Sequence, residues 1–195
     1  MLAVAFGIVM QSVKVDVCID PGHGGDDPGA QYEGRSEKDD NLALALLVAE
    51  KLEERGVKVC LTRDEDKFIS LAARCQAANF RRARFFVALH RNSAEGAHGV
   101  EYWVHSDAPS ADTLLAQNIC DMLALTEISE NRGVKFGFAR ADGENYFINS
   151  HTNMPSCLAE IGFITDDEDN RLFDDNLDAY AEAIADGIAK TLNEI

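Results

Sequence analysis

Along most of this chain, short runs of apolar β-formers alternate with stretches whose apolar residues recur every three or four positions. Strands are predicted at Val13–Ile19, Val57–Leu61, Phe85–Leu89, Val100–Val104 and Cys157–Ile161. The stretch Phe136–Ile148 is broken by turn residues and is expected to hold a short strand at each end. Helices are predicted over Glu37–Arg55, Ser70–Phe80 and Ala111–Leu125, then from a Thr165 cap through Phe173, and over Leu177–Leu192. The last has the cleanest period, with Leu177, Tyr180, Ala181, Ile184, Ile188 and Leu192 on one face. Such alternation predicts an α/β fold: a single domain with a twisted, largely parallel sheet of about six strands flanked by helices on both faces. No repeat, low-complexity tract or long linker divides it, so the domain is expected to span 13–195, preceded by an apolar segment at 1–12.

Composition narrows the partners. Thirty-four acidic residues against 18 basic ones give a net charge of −16. Phosphate-backbone binding draws its affinity from Lys and Arg, so nucleic acid is excluded as a partner and anionic membrane surfaces are disfavoured. The apolar start, through Met10, is too short to span a bilayer and lacks the basic flank of a secretory signal. Five cysteines, an odd number with no CxxC spacing, argue against a zinc ribbon or a disulfide framework and lean toward synthesis in a reducing compartment.

In parallel α/β sheets the ligand site lies beyond the carboxyl ends of the strands. There the sequence places unusual side chains. His23 follows the first strand inside the glycine-rich loop of "VCIDPGHGGDDPGAQ", His90 ends "FFVALH", and Glu160 ends "SCLAE". Glu37 opens the first long helix. Each has an ordinary reading alone: a lone histidine is usually structural, and an acid in a first helical turn complements the dipole. Glu160 is less easily dismissed, because Leu158, Ala159, Ile161 and Phe163 surround a carboxylate that needs a partner. Two histidines and a carboxylate are a common zinc set in hydrolytic sites, with a second carboxylate available for proton transfer. His23, His90 and Glu37 supply the first set, for one zinc per chain, and Glu160 the second role. A phosphate-cradling loop is the alternative for "PGHGGDDPG", although it lacks the GK[ST] ending and carries adjacent aspartates.

The segments "IDPGHGGDDPGA", "SEKDDNLALAL", "ALHRNS", "GVEYWV" and "MPSCLAEIGFITDDEDNRLF" resemble, in order, the amidase type 3 catalytic domain of zinc-dependent N-acetylmuramoyl-L-alanine amidases. The resemblance extends from Val15 almost to the C-terminus. It implies that His23, Glu37 and His90 hold zinc, that Glu160 is catalytic, and that peptidoglycan is the substrate. Arg91 stands where a small residue is frequent in that family and Ala159 where valine is typical; Arg91 and Asn92 are candidate substrate contacts at the rim. His98 is expected to be solvated in its loop, the resemblance gives His105 no ligand role, and His151 falls near the site by sequence order as a candidate cleft residue; a structural role is the expectation for all three. Only residues 91–99 separate His90 from the next strand, too few for the blocking helix of some relatives, so an open cleft needing no activator protein is expected; a monomer is expected as well. Action at the cell wall follows, with synthesis in the cytoplasm if the chain is a phage endolysin. A non-catalytic wall-binding module that kept the fold is the alternative.

Overall fold

The computed structural model describes residues 14–139 and 144–195; the apolar segment at 1–12 lies outside them. A six-stranded sheet runs in the order β4 (Val59–Leu61), β1 (Val17–Pro21), β5 (Phe85–Asn92), β8 (Ser156–Phe163), β6 (Val100–Val104), β7 (Asn131–Phe136). The pairs β4–β1, β1–β5 and β5–β8 are parallel. β6 lies antiparallel to β8 and parallel to β7, so the last two strands reverse direction. A separate hairpin, β2 (Gln31–Tyr32) with β3 (Arg35–Ser36), precedes helix α1 (Glu37–Glu54).

The period-2 alternation of the strands sorts the core into two layers. Val17, Ile19, Val87, Leu89, Tyr102, Cys157 and Ala159 pack with α1, α3 (Ser110–Ala124) and α5 (Asp167–Glu194). Cys18, Phe86, Ala88 and Leu158 face the other way, toward the smaller layer of α2 (Leu71–Arg81) and α4 (Phe147–His151). Complete burial of a large aliphatic or aromatic side chain contributes about 1.5–3 kcal/mol, and Leu44, Leu52, Phe85, Phe86 and Leu89 are all 1% exposed or less.

Connectivity fixes where a ligand can sit. From β1 the chain crosses through α1 to β4 on one side, then returns through α2 to β5 on the other. The reversal falls between β1 and β5, the switch point at whose carboxyl end such sheets bind ligands.

Several expectations need correction. Between Phe136 and Ile148 the predicted pair of short strands does not form: a strand ends at Phe136 and the helix α4 begins at Phe147. Asp166, not Thr165, caps the last helix, its carboxylate accepting from Asp169 N at 2.9 Å. Thr165 instead bonds Ala94 through both donor and acceptor, pinning the loop after β5. The two predicted C-terminal helices are one element with a non-helical residue at Asn176. Among the described residues no helix is long and apolar enough to cross a membrane.

Candidate active site and metal centre

The loop after β1 is built so that a backbone can approach side chains closely. Gly22 leaves room for the His90 ring, and Gly29, at φ +66°, lies where a Cβ would come within 2.6 Å of both Glu37 Oε2 and His23 Cδ2. His23 itself sits at φ 60°, a left-handed conformation that costs a non-glycine residue about 1–3 kcal/mol and persists only when its surroundings hold it. The β2–β3 hairpin then turns the chain into α1, where Glu37 N and Lys38 N bond the carbonyls of Ala30 and Pro28. The hairpin thereby delivers the first helical residue, Glu37, to the carboxyl end of the sheet.

His23, Glu37 and His90 each offer an atom within 4.8 Å of the others. Glu37 is buried between the two imidazoles: Oε2 lies 3.2 Å from His23 Nε2 and Oε1 2.8 Å from His90 Nδ1. The same carboxylate accepts from the amides of Ala30 and Arg91 and from Asn41 Nδ2. Burial alone pushes the Glu37 carboxyl upward, but His23 and His90 outweigh it and hold the pKa well below the usual carboxylate range. Burial likewise opposes a charged His23, yet Glu37 and Asp27 together raise its pKa. On its far side His23 Nδ1 lies 2.9 Å from Asp27 Oδ2. A carboxylate on the outer nitrogen of a ligating histidine fixes the tautomer that leaves the inner nitrogen free to bind. An acceptor-rich set of two imidazoles and an ionised carboxylate fits zinc.

Glu160 enters from the sheet. It is the register partner of His90 across β5–β8 and of Glu101 across β6–β8, so the three residues form a row on one face. A register shift between His90 and Asn92 interrupts the ladder beside them, as bulges next to functional sites commonly do. Glu160 is 7% exposed and Glu101 5%. Glu101 accepts from Asn92 Nδ2, Trp103 Nε1 and Arg132 Nε, at 2.8, 3.0 and 2.8 Å.

Four predicted residues, His23, Glu37, His90 and Glu160, thus meet at one end of the sheet, and Asn92 shares their face. Arg91 does not. It is 2% exposed on the opposite face, where it donates to Asp40 Oδ2 at 2.6 Å and Asn170 Oδ1 at 2.8 Å and stacks 4.3 Å over the Phe173 ring. The expected rim contact is therefore a structural clamp between α1 and α5, because successive strand residues face opposite ways. His98 pairs with Glu130, His105 accepts from Asp107 N, and His151 stacks on Phe147; none joins the cluster. The sequence reading missed Asp27, whose i+4 spacing from His23 in the glycine loop was the available signal, and Glu101, which a period-2 reading of "GVEYWV" places on the face of Glu160.

A family model described as N-acetylmuramoyl-L-alanine amidase matches residues 17–190. The sporulation-specific N-acetylmuramoyl-L-alanine amidase of Bacillus subtilis is 33% identical over 183 residues, spanning 92% of this chain and 68% of that protein. The solved structure of the amidase AmiC2 of Nostoc punctiforme superposes with a TM-score of 0.82 at 36% identity, covering 93% of this chain and 99% of that one. The CwlD amidase from Clostridioides difficile, solved in complex with the GerS lipoprotein, gives 0.83 at 28% identity, covering 93% and 100%. Members of the family are typically zinc-dependent, and this chain carries a possible site for the ion. By sequence and fold the chain belongs to the N-acetylmuramoyl-L-alanine amidase family.

Proposed function

We propose that this peptidoglycan amidase cleaves the bond between N-acetylmuramic acid and L-alanine with one zinc ion held by His23, Glu37 and His90, and with Glu160 as the proton-transfer residue. The observation that carries the reading is convergence. Three ligand-type side chains from a loop, a helix start and a strand end lie within 4.8 Å of one another, and Glu160 is the next residue across the sheet from His90.

When bound, zinc supplies Lewis acidity that activates both the substrate carbonyl and water near neutral pH. The chain's own residues do the rest. Asp27 keeps the His23 proton on Nδ1, leaving Nε2 as the atom that would hold the ion. The Glu160 carboxylate takes a proton from the attacking water and passes it to the departing L-alanine amine. Burial of Glu160 among β5, β8 and β6 limits its rotamers and holds it on the side of the sheet that carries His90. Asn92, on that face, is the proposed substrate contact.

The catalytic unit is proposed to span 13–195 and to act at the cell wall as a monomer with no activator. The short connection after β5, pinned by Thr165 to Ala94, supports an open site. Elemental analysis and turnover on purified peptidoglycan test the whole reading. His23→Ala, Glu37→Ala and His90→Ala should lose zinc, whereas Glu160→Ala should retain it and lose turnover. Zinc-loaded wild type that binds walls but releases no peptide would favour the non-catalytic module instead. A wild type that is inert until a partner protein is added would remove the claim about activators.

A further inference from the structure

Beneath the His23 loop lie two arginines that are 1% and 2% exposed, Arg63 and Arg74. Among the described residues their buried environment supplies one carboxylate, Asp20, to which Arg74 Nη1 donates at 2.8 Å. The other donors go to main-chain carbonyls. Arg74 Nη1 reaches Pro21 O and Nη2 reaches His23 O, both at 2.6 Å, while Nε holds Ile69 O at 2.8 Å. Arg63 Nε donates to Pro21 O at 3.0 Å, and Nη2 to both Gly22 O and Lys38 O at 2.8 Å. Every carbonyl from Pro21 to His23 is therefore held by a buried guanidinium. Lys38 is the neighbour of Glu37, so Arg63 also ties the segment carrying one ligand to the segment carrying another.

We infer that Arg63 and Arg74 are positioning residues that set the metal affinity of the site by locking the Pro21–His23 backbone. The inference rests on the reading of His23, Glu37 and His90 as zinc ligands. The physical case has two parts. His23 occupies a left-handed conformation that the free chain resists, so something must hold it there. Burying two cations against one carboxylate is also costly, and this arrangement serves only if their fixed forks fit several acceptors at once. Lysine retains the charge but presents a rotating point donor, so it cannot bridge two carbonyls and a carboxylate in one geometry.

The test is zinc affinity, measured by competition with a chromophoric chelator, for wild type, Arg63→Lys, Arg74→Lys and the remote variant Asn118→Ala. Asn118 is buried and bonds Thr191 and Glu194 far from the loop in sequence, so its loss lowers stability without touching the site. Both lysine variants should bind zinc about 10–100-fold more weakly, the usual consequence of disturbing groups that orient ligands. Excess zinc should restore most of their turnover, and Asn118→Ala should melt earlier with wild-type affinity. Folded lysine variants that bind zinc as tightly as wild type would overturn the inference while leaving the amidase reading intact. So would equal weakening in Asn118→Ala, which would make affinity a mere reporter of stability. If Arg74→Lys does not fold, Arg63→Lys carries the same comparison. Wild type that takes up no zinc would remove the metal site and this inference with it.

Discussion

The imidazole of His90 fills the space that a side chain on residue 22 would need. A Cβ at Gly22 would lie 2.2 Å from His90 Cε1, 2.4 Å from Nε2 and 2.6 Å from Nδ1. β1 and β5 run side by side here, Gly22 N bonding Leu89 O, so neither backbone can retreat without breaking the sheet.

Gly22→Ala should therefore displace the ring rather than the strand. Overpacking of this kind costs about 1–3 kcal/mol. The expected result is a lower melting temperature together with loss of zinc, read by calorimetry and elemental analysis. Gly34→Ala is the contrast. Nothing lies within 4 Å of a Cβ there, although φ is +85°, so it should cost stability through backbone strain alone and keep the metal. Full zinc occupancy in Gly22→Ala would mean that the ring position is not what the site requires.

Arg91 gives a second prediction. Its guanidinium is buried against Asp40 and Asn170 on the face away from His90 and Glu160. Removing one partner of a buried pair costs about 3–5 kcal/mol when the other charge is left unpaired, but Asp40 keeps Arg35 at 2.7 Å. Arg91→Ala should therefore lower stability by less than that, through the lost bond to Asn170 and the lost packing on Phe173, while the fraction that remains folded should keep the wild-type KM for muropeptide. A raised KM at unchanged stability would return Arg91 to the substrate.

The four residues that meet at the end of the sheet were legible because three sit at or near strand ends, where a buried polar side chain needs a partner, and Glu37 opens the helix that follows the same loop. Arg91 was misplaced for want of one further step: in "LHRN" the alternation that puts His90 and Asn92 on one face must put Arg91 on the other. Arg63 and Arg74 left no such trace. A buried arginine differs from a solvated one only in its tertiary neighbours, and the Pro21–His23 carbonyls that these two hold lie forty or more positions away. β7 was missed because Arg132, Gly133 and Lys135 interrupt its apolar pattern, as suits a half-buried strand at the sheet edge.

A third prediction concerns acid. Lys38 Nζ donates to Gly25 O at 3.0 Å and to Asp66 Oδ2 at 2.7 Å, and Gly25 N donates to Asp66 Oδ1 at 2.7 Å. The pair grips both ends of one residue in the His23 loop. Lys38, then the Gly25 amide, lower the Asp66 pKa from its ordinary 3.8. A depressed folded pKa gives stability that is present above the unfolded value and is lost as pH falls through the folded one. Asp66→Asn should thus cost the same small drop in melting temperature from about pH 8 down to about pH 5. The gap to wild type should close only below 3.8. A gap that closes near pH 6 would assign the latch to another group.

The net charge of −16 leads to the last prediction. Many bacterial walls carry anionic polymers, and fixed charges act across a Debye length of about 8 Å at physiological salt. Much of the basic complement is already neutralised within the fold: Lys51 and Arg55 by acids of α5, Arg35 by Asp40 and Asp174, Arg91 by Asp40. Among the described residues Lys14, Lys58, Arg81, Arg82 and Lys190 stay exposed without an ion pair, a small number against the excess of acids. Added salt should accordingly raise the rate on intact walls by screening the repulsion, and should leave the rate on a small soluble muramoyl-peptide almost unchanged. Turnover on both substrates from low to moderate ionic strength checks this. A rate on walls that falls with salt would point to a local basic patch steering encounter. Arg91 cannot supply it, being buried, whereas Arg140 lies outside the described residues. Arg140→Ala, or Arg81→Ala with Arg82→Ala, should then abolish the fall and show which patch steers encounter.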